Sequence, residues 1–340
     1  MNYPRQGPTM IALYDEAKRT VRDRMETPAG EMATRAWLMC RDDIIAFSTG
    51  VWAEGTSGRF LLPRVAGDAK RRILHYAVYR LKEFRSQLVA LTGTVMRDTH
   101  RLSYLLQSWI LDSITPPNIK VVPKMATLQG YRPAGRARAF GKKEAWQDEP
   151  PKGTPDTNKA TGEQTPSYEH RIDRWLKGYS QYMSAAVSAG MVGMDSPDAL
   201  GRRLAQVGAP EGISVADVLK RLVQTQVNIS VVDGIEDVAK DWAPVITRRI
   251  WQTMLDGAVC PLCAENQDKV EDEWTANIPA HPWCRCWPRV VPVDWRTLAG
   301  SSAMPGADPD EMVVIDPATG KPLALMRFTF DRWIQTFARG

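Results

Sequence analysis

The chain has 340 residues, 44% of them hydrophobic and 24% charged, with a formal net charge of +5. That composition supplies core for two or three domains and excludes a wholly disordered protein, while a charge this small over this length makes only a weak field towards anionic partners. No apolar run approaches the roughly 20 residues of a membrane helix, and the first residues lack a signal-peptide pattern, so no membrane crossing is expected.

Residues 1–118 read as a helical domain. "MIALYDEAKRTVRDRM" and "MATRAWLMCRDDIIAFSTGVW" are predicted helices separated by a break at "ETPAGE". Cys40 lies in the second and reads as a small buried apolar residue. In "GDAKRRILHYAVYRLKEFRSQLVALTG", Ile73, Ala77, Leu81, Phe84, Leu88 and Leu91 recur at helical steps and form one apolar stripe. The pattern repeats through Leu102, Leu105, Leu106 and Trp109 after a Gly-Thr break. With Thr94 as a candidate N-cap, the expectation is an antiparallel helix pair.

Residues 119–168 change character. They are rich in Pro, Gly and polar residues and too poor in apolar surface to offset their ordering entropy, so they read as a flexible arm or linker. Lys120, Lys124, Arg132, Arg136, Arg138, Lys142 and Lys143 are interleaved with Tyr131 and Phe140 and with no acidic residue. Such a stretch can release counterions from nucleic-acid phosphates, or dock on an acidic protein surface.

Helical periodicity resumes at "HRIDRWLKGYSQYMSAAVSAGM". It continues in "SPDALGRRLAQVG", with Ser196 as cap and Pro197 in the first turn, and in the long run from Ser214 towards Leu255, which Gly234 and Pro244 are expected to divide or kink. Beyond it, "WPRVVPVDW" looks strand-like, and residues 299–340 carry a candidate hairpin and tail. The fold class expected is mainly α: a helical N-terminal domain, a basic arm, and an α+β C-terminal module with a small stapled element.

That module holds the densest chemistry in the chain. "CPLCAENQDKVEDEWTANIPAHPWCRC" contains four of the five cysteines and one of the four histidines. Cys260 and Cys263 form a C-x2-C turn that aims two sulfurs at one point. His281, Cys284 and Cys286 follow in a second short stretch, and zinc takes four such soft or borderline ligands in a tetrahedron. Five donors for four positions favour a closed, structural site over a catalytic one, although Glu265 and Glu273 lie nearby. Two disulfides are the competing reading, which a reducing compartment disfavours. A nucleobase deaminase does not fit, because no His is followed two positions later by Glu. Trp274 and Trp283 read as an apolar shell for the site, and Arg285 as a surface cation or a hydrogen-bond donor to the ligands' surroundings.

"DGAVCPLCAENQDKV" followed by "IPAHPWCRCWPRVVP" resembles the terminal signature of the phage Mu F-like head morphogenesis proteins, the minor capsid proteins of tailed phages. Its elements stand at Cys260, Pro261, Cys263, Pro279, His281, Pro282, Cys284, Arg285 and Cys286. The resemblance covers residues 170 to 295 or so, and assigns 169–298 as the head-morphogenesis domain. It implies a non-enzymatic virion protein that binds the portal vertex during head assembly in the host cytoplasm and stays inside the head near the portal. The portal protein is the implied partner, with the major capsid or scaffold protein as further candidates and no small-molecule substrate. The alternative is a zinc-containing nucleic-acid-binding protein or nuclease using the basic arm to hold DNA. A nuclease of the HNH type needs a general-base His besides its metal ligands, and His75, His100 and His170 fall in helices or at the arm's edge, where surface or core roles are expected.

Overall fold

The computed structural model describes residues 10–55, 63–114, 121–133, 168–208, 214–253, 259–281 and 284–292. It is mainly helical. Helix α1 (Met10–Val21) is followed by a π-helical segment (Arg22–Glu26), and then by α2 (Thr27–Gly55), α3 (Pro63–Ile114), α4 (Met125–Gly130), α5 (Tyr168–Val192), α6 (Pro197–Ala205) and α7 (Val215–Asp241). Strand β1 (Ile246–Gln252), helix α8 (Pro261–Asn266) and strand β2 (Trp287–Pro292) complete the order.

The expected breaks near Pro28 and Gly93 are not there. The chain stays helical through "ETPAGE" because the π segment absorbs the proline. The Thr27 N–H reaches back five residues to the Arg22 carbonyl, and Pro28, which has no N–H to place, sits in the first turn of α2. Helix α3 runs unbroken for 52 residues, so the antiparallel pair with Thr94 as cap is corrected to one helix. Its buried stripe keeps phase across the junction through Leu88, Thr92, Val95, Met96 and Thr99. A helical glycine costs only about 1 kcal/mol relative to alanine, less than burying those side chains contributes.

Two compact units emerge, each drawn from distant stretches of sequence rather than from consecutive blocks such as 1–118 or 169–298. One comprises Pro28–Thr94 and Pro166–Gln224; the other Met1–Thr27, Val95–Thr165 and Thr225–Gly340. Within the first, Trp37 packs edge-on against Phe84, Trp175 and Tyr179 at centroid distances of 5.4, 5.3 and 4.6 Å. A second cluster joins Val51, Trp52, Ile73, Val187, Leu200 and Leu204. Ser196 caps α6 as the sequence implies, accepting from the Ala199 N–H, with Pro197 in the first turn. Cys40 is buried, and burial pushes its thiol up to about 12, which suits a core residue rather than a reactive one.

In the other unit, α7 passes straight through Gly234, where a Cβ would meet the His100 carbonyl oxygen at 2.8 Å. Glycine is required there for close approach to α3, not to break the helix. The helix stops at Asp241, ahead of Pro244. The next residues, which the periodicity had carried on as helix, form β1 instead. Ile246, Thr247 and Ile250 are β-branched, and the segment finds an antiparallel partner in β2, with Ile250 opposite Arg289 and Gln252 opposite Trp287. The expected strand at "WPRVVP" is therefore present and wholly buried. At its edge, Tyr14 of α1 accepts from the Val290 N–H at 2.8 Å and donates to the Val290 carbonyl at 3.2 Å. One phenol thus satisfies both backbone groups of an edge residue.

Residues 121–133 are likewise better ordered than their composition suggests. Val121 and Tyr131 are buried, and Tyr131 stacks on the fully buried His100 with ring centroids 3.8 Å apart. The Tyr131 hydroxyl donates to Asp233 at 3.0 Å. The arm reading is corrected for this part: two aromatic and aliphatic anchors and a buried polar network supply what the polar composition lacks. Residues 134–167 and the expected hairpin in 299–340 lie outside the described residues.

Candidate metal centre

The five predicted ligands come together in two groups of three that share Cys263. Cys260 is the N-cap of the short helix α8, its sulfur accepting from the Cys263 N–H at 3.3 Å, with Pro261 in the first turn. Cap and helix together turn both sulfurs to one side, as the C-x2-C spacing implies. The second stretch arrives from the opposite end of the insertion, where the Cys284 N–H closes a turn on the His281 carbonyl at 3.1 Å. The His281 Nε2 atom then lies 3.1 Å from the Cys260 Sγ and 3.3 Å from the Cys263 Sγ, and the Cys263 and Cys284 sulfurs are 3.8 Å apart.

These distances suit a metal. A tetrahedron with sulfur about 2.3 Å from its centre has edges of about 3.8 Å. Two groups of three donors, Cys260 with Cys263 and His281, and Cys263 with Cys284 and Cys286, each fall within 4.8 Å of one another and share Cys263. All five cysteines are free thiols, so the disulfide alternative is not the arrangement adopted. Hydrogen bonds from the Cys263 and Cys286 thiols hold the Cys284 thiol below the usual thiol range, and its bond to Cys284 drives the Cys263 thiol up. Thiols crowded into one buried site compete to ionise, and a divalent cation resolves that competition by binding the thiolates. The donor set therefore fits a metal ion, and the residues can hold one.

The surroundings fix the loop rather than open it. Val232, Trp251, Trp274, Ala276, Ile278 and Ala280 pack with the three buried cysteines. Trp251 meets Trp274 edge-on at 5.4 Å, and the Trp274 indole donates to the Lys269 carbonyl at 2.8 Å. Trp274 is the structural aromatic expected; Trp283 lies outside the described residues. The insertion between the ligand pairs folds back on β1, with the Trp251 N–H donating to Lys269 and the Asp268 N–H to Trp251, each at 2.9 Å. Asn266, fully buried, accepts from the Thr275 N–H at 2.8 Å and donates to the Leu262 carbonyl at 2.8 Å, tying α8 to the far end of that insertion.

Several residues at the site escape sequence reasoning. Asn228 of α7 donates from its side-chain amide to the carbonyls of Cys284 and Cys286, so the ligand loop hangs from a helix more than 50 residues upstream. Asn228 is 5% exposed, a burial that the sequence alone does not reveal. Glu26 lies near Arg285, which offsets part of the upward shift that burial imposes on its carboxyl. Glu265 pairs with Lys269 on the surface at 3.9 Å.

Of the basic set, Lys124 and Arg132 are among the described residues. Lys124 pairs with Asp241 at 3.5 Å and donates to its backbone carbonyl, with the Trp242 ring 5.7 Å away. Arg132 donates to the carbonyls of Gln129 and Tyr131 at 2.9 and 3.0 Å. Lys120, Arg136, Arg138, Lys142 and Lys143 lie outside the described residues. Of the other histidines, His75 is exposed on α3, and His100 is buried 2.9 Å from Asp237, as the surface and core readings expect. No helix among the described residues is long and apolar enough to cross a membrane. Comparison with protein-family models, with curated proteins and with solved structures finds no match to this chain.

Proposed function

We propose that the protein is a head-morphogenesis, minor capsid protein of a tailed phage, whose C-terminal module is stapled by a structural zinc ion and which binds the portal vertex during assembly. The observation that carries this reading is that Cys260, Cys263, His281, Cys284 and Cys286, the residues of the C-P-x-C and H-P-x-C-R-C elements, form two adjoining groups of three donors that share Cys263. A closed site of thiolates and imidazole, packed by Trp251 and Trp274, suits architecture rather than turnover. Acting without catalysis, the protein works in the host cytoplasm and remains in the virion near the portal.

The nucleic-acid reading has less to stand on. Lys124 and Arg132 are engaged within the fold, and the cluster has no histidine beyond His281 to serve as a general base. The test is co-expression with a tailed-phage portal protein: co-purification with a ring-shaped portal, about one zinc per chain and no DNA turnover support the proposal. Metal-dependent DNA cleavage by the pure protein overturns it.

A further inference from the structure

We propose that Asn228 is the positioning residue of the metal centre: its side-chain amide, carried by helix α7, fixes the backbone that bears Cys284 and Cys286 and so sets how tightly the cluster retains a metal ion. This rests on the reading that the cluster holds a metal, and it places control of the affinity in a residue that gives the ion no ligand atom.

Asn228, Val232 and Glu236 stand at four-residue steps and share one face of α7. That face meets the C-terminal module. The Asn228 Nδ2 atom lies 2.5 Å from the Cys284 carbonyl oxygen and 3.4 Å from that of Cys286. Val232 packs with Cys263, Cys284 and Cys286, and Glu236 lies 3.8 Å from the guanidinium of Arg249 in β1. Of these three side chains, Asn228 is the one that holds ligand backbone. Its amide nitrogen carries two N–H groups, one for each carbonyl, and an apolar side chain supplies neither.

The amide is anchored to a point that does not give. Residues 225–235 are all buried, and at Gly234 the helix comes so close to α3 that a Cβ would stand 2.8 Å from the His100 carbonyl oxygen. The loop it holds is tied at its two ends, by the Cys284 N–H on the His281 carbonyl at 3.1 Å and by the pairing of Trp287 with Gln252. Without the amide, the carbonyls of two buried cysteines lose their donor and the sulfurs between those ends can shift. A metal ion takes its donors at fixed distances, so a support that holds ligand backbone without touching the ion raises affinity. Removing such a support typically costs about 10- to 100-fold.

The test is the zinc affinity of the full chain, purified under reducing conditions and read by competition with a chromophoric chelator. Asn228→Ala and Asn228→Asp should each bind zinc about 10- to 100-fold more weakly than the wild type, with helical circular dichroism retained, because aspartate keeps the shape and loses both donors. Gln226→Ala truncates a buried amide of the same helix whose nitrogen has no partner, and it should keep the wild-type affinity. Wild-type affinity in either Asn228 variant overturns the proposal and leaves the metal reading intact. An equal loss in Gln226→Ala does the same, since it makes the effect a general loosening of α7. A wild-type chain that binds no zinc overturns both. Should the Asn228 variants not fold, the wild type labelled with 15N-asparagine decides. Linkage is reciprocal, so zinc must protect the hydrogen bond that promotes zinc binding. The Asn228 side-chain protons should exchange with solvent more slowly in the loaded chain than in the chelated one, and equal exchange in the two states overturns the proposal.

Discussion

The unit built from Pro28–Thr94 and Pro166–Gln224 and the module from Ile246 to Pro292 are ordered by different means. The first gathers Trp37, Phe84, Trp175 and Tyr179 with ring centroids 4.6 to 6.2 Å apart, so large apolar side chains supply its cohesion. The second buries Trp251 and Trp274 beside alanines and three cysteines, and it holds its loops with polar contacts from Asn228, Asn266 and Tyr14. A module with so little apolar volume needs a crosslink, and its sulfurs are placed to provide one. Helical units can be read as stripes, whereas a stapled module must be read as chemistry.

The largest effect should come from breaking the staple. Structural zinc sites in small modules contribute on the order of 10 kcal/mol to folding. Stripping the metal with a strong chelator under reducing conditions should accelerate amide exchange across residues 259–292 and shift Trp251 and Trp274 emission to the red, with helical circular dichroism largely retained. Unchanged exchange in the module would show that packing alone holds it. Next in size, Trp37→Ala should lower stability by about 3–5 kcal/mol, the usual cost of emptying an aromatic core site, measured by chemical denaturation. Its signature is the reverse: helical signal melts early while metal content stays at the wild-type level.

This contrast also explains what the sequence disclosed. The helices of Ile73–Leu91, α5 and α6, the cap at Ser196 and the strand at Trp287 were legible because period and cap chemistry are local. The Cys/His cluster was legible because closely spaced donors in two short stretches can face one another, and the structure brings them into two groups of three. What failed was decided at a distance. Gly93 and Pro28 look like breakers, yet burial on either side of the glycine and a π segment before the proline carry the helices through. Strand β1 is a strand because β2 lies beside it, and Tyr131 is ordered because His100 and Asp233 receive it. Asn228 was invisible as a support because nothing near it in sequence says that a ligand loop will hang from its amide.

Gly234→Ala sharpens the comparison at a smaller scale. The added methyl would stand 2.8 Å from the His100 carbonyl oxygen and 3.0 Å from the Tyr104 nitrogen, and both are backbone atoms that cannot rotate away. Overpacking of this kind costs about 1–3 kcal/mol despite the better helix propensity of alanine. Equilibrium unfolding should show the loss. A stabilised Gly234→Ala protein would mean that α3 and α7 separate more readily than their contact suggests.

The smallest effect concerns charge beside the ligand turn. Burial raises the Glu26 carboxyl above its ordinary value, with Arg285 and Arg22 pulling it back. The folded protein therefore binds that proton more tightly than the unfolded chain does. The resulting stabilisation is complete below the unfolded value and is lost as pH rises through the higher folded one. Glu26→Gln removes the titration, so its denaturation midpoint should gain on the wild type as pH rises from about 4 to about 7. A gap between the two proteins that stays constant over that range would place Glu26 in water. A gap that instead favours the wild type as pH rises would mean that Arg285, between two of the candidate ligands, holds the carboxylate more strongly than burial opposes it.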